Sequence, residues 1–310
     1  MVVDLAQDQF RRIRSLVNLK QLQQMVLVVI GGGSLGSNIA YLAVVSGVGH
    51  IIVIDRDRLE THNVIRHLCG FSDLGRFKVH AVADRLRDKN PDVVVEAWPV
   101  DADQRRDVLE DAIRRADLVV AATDSPSAQI MINASALAAG KPAIYPGAYN
   151  TAFGGEVIRV IPGKTACLRC IYDTTADLFN RQEPGSDGQT QSYDADRGHP
   201  GMWTDLGFVS HLAARMAIET MLGQHDPARH LTGHYLLWGN RRMWAFSRPL
   251  QHRWLKIPRN PLCPACSGEA ALDAHVASVG LDRASARTEG LRVLQVANES
   301  PVEDPIDTVR

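Results

Sequence analysis

The chain has 310 residues, enough for one large α/β domain or two ordinary ones. Its 45% hydrophobic and 22% charged content excludes global disorder. Its 34 basic residues nearly balance 35 acidic ones, which argues against a broad electrostatic nucleic-acid surface.

In chain order, residues 4–24 read as a polar helical segment with an apolar stripe of Phe10, Ile13, Leu16, Val17 and Leu19 or Leu22. It has no secretory h-region. Met25 to Ile30 is the strongest apolar run, strand-sized and too short to span a membrane. A glycine turn follows, then a helix over Ser37 to Ser46 closed by Gly47 and Gly49. Ile51 to Ile54 is a second buried strand ending at Asp55. Helices are expected over 78–90, Gln104 to Arg115 and Ser127 to Ala139. Strands are expected over Val93 to Trp98, Leu118 to Ala122 and from Ala143.

Strands and helices alternate, so the expected fold is α/β, a doubly wound, Rossmann-like mixed sheet, largely parallel. After Tyr149 the pattern changes. Gly154 to Gly163 reads as a strand and turn of an antiparallel C-terminal extension. Residues 173–204 read as a long polar loop, Leu206 to Leu222 as a helix, and Tyr235 to Ser247 as strands. The expected divisions are an N-terminal helical segment (1–24), a nucleotide-binding half (25–165), a second half (166–268) and a weakly structured tail (269–310). Within that tail Asn298 to Arg310 reads as disordered.

Gly31-x-Gly33-x-x-Gly36 lies between a buried strand and a helix, and Asp55 follows about 20 residues on. Glycines permit close approach of phosphates, the helix N-terminus offers free N–H groups, and Asp55 can accept from ribose hydroxyls. This pattern leaves a dinucleotide and ATP both open. Asp57, Asn63, Arg66 and Lys78 come next, where the chain must cross the open mouth of the sheet. Arg66 and Lys78 offer charge to phosphates, and Asn63 offers a donor and an acceptor. Asp124, ending the fourth strand, shares that edge and could hold magnesium.

Together these residues resemble the ThiF/MoeB/HesA superfamily of adenylating enzymes, the bacterial relatives of ubiquitin-activating enzymes. The ordered matches are Gly47-Val48-Gly49, Asp55-Arg56-Asp57, Asn63-Val64-Ile65-Arg66, Gly75-Arg76-Phe77-Lys78, Asn90-Pro91 and Ala122-Thr123-Asp124. The resemblance implies ribose binding by Asp55, phosphate binding by Asn63, Arg66 and Lys78, and magnesium on Asp124. His67 stands in place of the usual Gln, and Ser125 in place of the usual Asn. The family's N-terminal arginine, which reaches the partner subunit's ATP in a homodimer, has Arg11, Arg12 and Arg14 as candidates, with Arg11 or Arg14 favoured.

Cys167-x-x-Cys170 and Cys263-x-x-Cys266 are two knuckles whose spacing suits one closed tetrahedral zinc site of structural role. Such a site would pin the segment after residue 260 to 167–170. The fifth cysteine, Cys69, reads as a packed thiol. Family members with a covalent intermediate carry their cysteine in the crossover loop, and 173–204 contains none.

The resemblance implies ATP-dependent adenylylation of a carboxylate, with the C-terminal Gly-Gly of a ubiquitin-like or sulfur-carrier protein as substrate; the short apolar runs and the missing h-region point to the cytoplasm as location. The alternatives are an NAD-dependent oxidoreductase, which leaves Arg66, Lys78 and the knuckles unexplained, adenylylation of a peptide or a tRNA base carboxylate, and an inactive binding scaffold.

Overall fold

The structure, a computed structural model, describes residues 8–180, 200–224, 229, 231, 233–268 and five scattered positions beyond. One eight-stranded sheet organises it, in the order β3-β2-β1-β4-β5-β6-β7-β8. The strands are β1 (Val26–Ile30), β2 (His50–Ile54), β3 (Val94–Trp98), β4 (Leu118–Ala121), β5 (Ala143–Ala148), β6 (Gly154–Val160), β7 (Tyr235–Gly239) and β8 (Gln251–Leu255). The pairings from β3 through β5 are parallel, and β5–β6, β6–β7 and β7–β8 are antiparallel. The mixed sheet with its antiparallel extension is the expected architecture.

Among the helices, α1 is Leu19–Gln24, α2 Ser34–Val45, α3 Lys78–Lys89, α4 Arg106–Arg115, α5 Pro126–Ala138, α6 Leu168–Asn180 and α7 Trp203–Gly223. The β1 run Val-Leu-Val-Val-Ile is apolar throughout because both faces of the sheet are covered. Leu27 and Val29 join a core with α2, α3 and α7 residues such as Ile39, Val82 and Ala213. Val28 and Ile30 join the opposite core, with Leu109, Ile132 and Ile171 from α4, α5 and α6.

Three differences from the sequence reading have physical causes. Asp8 and Gln9 are helical, residues 10–17 form turns that bury Phe10, and helix resumes at Leu19, where the Asn18 side chain accepts from the Gln21 amide. Residues 173–180 are helical, not loop: they continue α6, which begins just after Cys167 and carries Cys170 in its first turn. Thr174 and Thr175 fit there because each hydroxyl donates to the carbonyl four residues back. Gln251–Leu255 is a strand although its residues are mostly polar, because it is an edge strand that pairs on one side with β7 and leaves His252, Arg253 and Trp254 exposed. The remainder of the expected loop, 181–199, and most of the tail, including Asn298 to Arg310, lie outside the described residues.

The strand order reverses between β1 and β4. The crevice outside their C-terminal ends is where ligands bind in open α/β sheets.

Candidate functional site

The glycine turn fills that crevice. Gly31 has φ +96°, which L side chains rarely adopt, and a Cβ there would lie 2.6 Å from the Ala122 carbonyl oxygen. A Cβ on Gly36 would lie 1.8 Å from the Gly31 carbonyl oxygen. The turn therefore packs against its own helix and against the end of β4. Gly33 differs: nothing stands within 4 Å of where its Cβ would be. It is the N-cap of α2 and no side chain caps the helix. The N-terminal amides of α2 thus remain for an anion.

Asp55 leaves the end of β2 and holds the turn. Its Oδ2 accepts from the Gly32 amide at 2.6 Å and its Oδ1 from the Asp57 amide at 2.7 Å. Burial pushes this carboxyl above its ordinary range, against the pull of nearby Lys78 and the two amides. Each carboxylate oxygen keeps a lone pair for a further donor such as a ribose hydroxyl.

Asp57 and Lys78 meet. Lys78, the first residue of α3, is buried, and its Nζ lies 2.8 Å from Asp57 Oδ2. The segment between is pinned to the entry of α3: the Leu59 amide donates to Arg76 O at 2.8 Å, and Arg58 stacks over the Phe77 ring.

Asn63 and Arg66 lie on the next turns. Asn63 Oδ1 accepts from the Glu60 amide at 3.0 Å, and the Asn63 carbonyl accepts from the amides of Arg66 and His67, both at 3.0 Å. Asn63 thereby shapes the segment that presents Arg66, which is half-buried. Asp124 is exposed three residues beyond β4, and Ser125 after it is the N-cap of α5, accepting from the Ala128 amide at 3.2 Å.

Gly31, Gly33, Gly36, Asp55, Asp57 and Lys78 are thus joined by direct contacts or shared turns, and Asn63 and Arg66 occupy the segment stitched to them. Arg11, Arg12 and Arg14 are exposed on the N-terminal turns. Among the described residues no hydrogen bond or ion pair joins Arg14 to the glycine turn. Arg11 faces Asp8 at 3.8 Å.

The four knuckle cysteines converge. Cys167 Sγ is 3.7 Å from those of Cys170 and Cys263, Cys170 Sγ is 3.6 Å from that of Cys266, and all four lie within 4.8 Å of one another. A tetrahedral zinc with bonds of about 2.3 Å places its sulfurs about 3.8 Å apart, so the cluster fits that ion. Three of the four are buried. Asn133 of α5 accepts from the Leu168 amide at 3.1 Å, and Arg259 donates to the Gly163 and Cys266 carbonyls.

Cys69 is 1% exposed, and burial pushes its thiol up to about 12. It is a packed thiol.

Two features escape sequence reading. Tyr235 donates to Glu156 Oε2 at 2.5 Å and Tyr149 to the same oxygen at 3.3 Å. Their separations, 79 and 7 residues, leave no local pattern. The second is His67, whose ring contacts Gly32 and Cys69. Its departure from the usual Gln marks the position but not the partners.

Known proteins resemble this chain. Similar chains include a sulfur carrier protein adenylyltransferase of Thermus thermophilus, 31% identical over 81% of this chain and 85% of that one. The sulfur carrier protein ThiS adenylyltransferase of Escherichia coli is 30% identical over 81% and 89%. The SAMP-activating enzyme E1 of Haloferax volcanii is 30% identical over 80% and 82%. Among solved structures, Escherichia coli MccB in complex with MccA-N7isoASN superposes with a TM-score of 0.64 at 22% identity, over 80% of this chain and 68% of that one, a likeness of fold. No described helix is long and apolar enough to cross a membrane. The ThiF family matches residues 6–265, from the N-terminal segment into the second cysteine knuckle, and the chain belongs to that family.

Proposed function

We propose that the protein adenylylates a carboxylate with ATP, and that the carboxylate is the C-terminal glycine of a ubiquitin-like or sulfur-carrier protein. The observation that carries this reading is the coupling of the glycine turn to a segment rich in phosphate-binding groups: Asp55 holds Gly32, and Lys78, Asn63 and Arg66 lie on the chain that folds back onto the same crevice. Two of the named relatives are by name adenylyltransferases of sulfur carrier proteins, and a third is by name an activating enzyme.

A terminal carboxylate is ionised at neutral pH, so it needs no general base. Its oxygen bonds to the α-phosphorus while the bond to the bridging oxygen breaks, and pyrophosphate leaves with that electron pair. The product is an acyl-adenylate. Arg66 and Lys78 offset the negative charge that would repel the incoming carboxylate, and Asp55 orients the nucleotide through its ribose. Asp124 is a hard oxygen donor suited to magnesium, which would add charge neutralisation at the phosphates. The cysteine cluster would hold zinc in a closed, structural site.

The acyl group passes directly to an acceptor on another molecule. Cys69 is too buried and too weakly acidic to take it, and the sequence has no cysteine between residues 171 and 262. The working assembly is a homodimer in the cytoplasm, with exposed Arg14 or Arg11 reaching the partner's nucleotide. Light scattering tests that assembly, and a stable, active monomer counts against it.

ATP–pyrophosphate exchange tests the activity. Exchange should appear only with a carrier protein ending in Gly-Gly. Arg66→Ala or Asp124→Ala should abolish it in protein that still melts cooperatively. No exchange with any carrier, beside tight NAD binding, would overturn the reading.

A further inference from the structure

His67 is buried and bridges two backbone groups. Its Nδ1 lies 3.0 Å from the Cys69 amide nitrogen, and its Nε2 lies 2.7 Å from the Gly32 carbonyl oxygen. These partners fix the tautomer. A backbone amide can only donate, so Nδ1 accepts and carries no proton; Nε2 then carries the proton and donates to Gly32. Gly32 is thus held through both of the peptide groups that flank its Cα. Its N–H goes to Asp55 Oδ2 and its C=O to His67. A third stitch, from the Leu68 amide to Ser37 Oγ at 3.4 Å, fastens the same segment to α2.

This matters for anion binding. A glycine turn binds phosphate only while its amides face the ligand and its carbonyls face away. Glycine has almost no intrinsic preference that would keep the Gly32 carbonyl turned aside. We infer that His67 is a positioning residue for the nucleotide: as a neutral Nε2–H imidazole it anchors the Gly32 carbonyl away from the phosphates and sets the adjoining Arg66 against the same turn. The inference rests on the ATP reading above and assigns one residue a task within it. Removing the ring frees the carbonyl to point at the phosphates and leaves the Cys69 amide without its acceptor.

The test compares wild type, His67→Ala and His67→Gln by calorimetric titration with ATP, with thermal melts as a check on folding. A glutamine side chain can accept from the Cys69 amide through Oε1 and donate to Gly32 through Nε2, so it can reproduce both bonds. His67→Ala should weaken ATP binding on the order of tenfold, the scale of one buried hydrogen bond, and His67→Gln should restore most of it. In wild type, nitrogen-15 NMR of the histidine ring should report the Nε2–H tautomer. Unchanged ATP affinity in folded His67→Ala, a His67→Gln variant no better than His67→Ala, or an Nδ1–H tautomer overturns this inference alone. Should His67→Ala not fold, the comparison of His67→Gln with wild type and the tautomer still decide. Wild-type protein that binds no ATP overturns the ATP reading, and this inference with it.

Discussion

Asp57 Oδ2 lies 2.8 Å from Lys78 Nζ, so the acid of the β2 exit holds the lysine that opens α3. The lysine side chain is 11% exposed and the aspartate 54%. The two partners should fail differently. Lys78→Ala removes charge from the phosphate site and should slow pyrophosphate exchange roughly 100-fold. Asp57→Asn leaves that charge but loosens its aim. It should raise the KM for ATP several-fold, with stability changed by less than about 1 kcal/mol, because one partner is largely in water. Equal losses from both substitutions would show that the lysine's charge is not what the site uses.

Gly36 and Gly33 should separate folding from binding. A Cβ on Gly36 meets a backbone carbonyl at 1.8 Å, so Gly36→Ala should cost more than about 2 kcal/mol in urea unfolding. Gly33 has open space around it, so Gly33→Ala should fold almost normally. If phosphates approach the N-terminus of α2, Gly33→Ala should nevertheless weaken ATP binding. A folded Gly33→Ala protein with undiminished affinity would move the phosphates elsewhere.

The cysteine cluster predicts metal content. Freshly purified protein should carry about one zinc per chain, since four thiolates make one closed site. Cys263→Ser should lose the ion and more than about 3 kcal/mol of stability, because metal binding is folding free energy here. Atomic absorption finding no zinc in the wild-type protein would refute this assignment.

His67 predicts a pH dependence of stability. Burial depresses its pKa below 6.5, Lys78 pushes the same way, and the Gly32 hydrogen bond and Asp73 oppose. The folded protein therefore prefers the neutral ring. The associated stability is present above the unfolded value near 6.5, and it is lost as pH falls toward the depressed folded value. Urea midpoints for wild type should drop across that window, and His67→Gln should lack that component. Parallel curves for the two proteins would exclude His67 as the titrating group.

The parallel half of the sheet was legible because its strands are buried on both faces and read as unbroken apolar runs, as in Val26–Ile30 and Leu118–Ala121. The edge strand Gln251–Leu255 was not, because only its pairing with β7 makes it a strand. Residues 173–180, after the first knuckle, read as loop for a related reason. Thr174 and Thr175 favour extended chain locally, and their hydroxyls become compatible with α6 only by bonding within it. At the candidate site, Asp55, Asp57 and Lys78 announced themselves by type and spacing. The hydrogen bonds that orient them did not. His67 contacts Gly32 across 35 residues, and Glu156 meets Tyr235 across 79. Such partners are chosen by the topology of the sheet and have no local signature.

The cysteine cluster also changes the topology of the covalent chain. Cys170 and Cys266 stand 96 residues apart in sequence, and a metal between them closes that stretch into a ring containing α7, β7 and β8. The ring shrinks the repertoire of the unfolded chain as a long-range crosslink does. A single backbone cut anywhere within it, between residues 171 and 262, would leave both fragments clasped. They should run together under native conditions, held by the metal as well as by the pairing of β6 with β7.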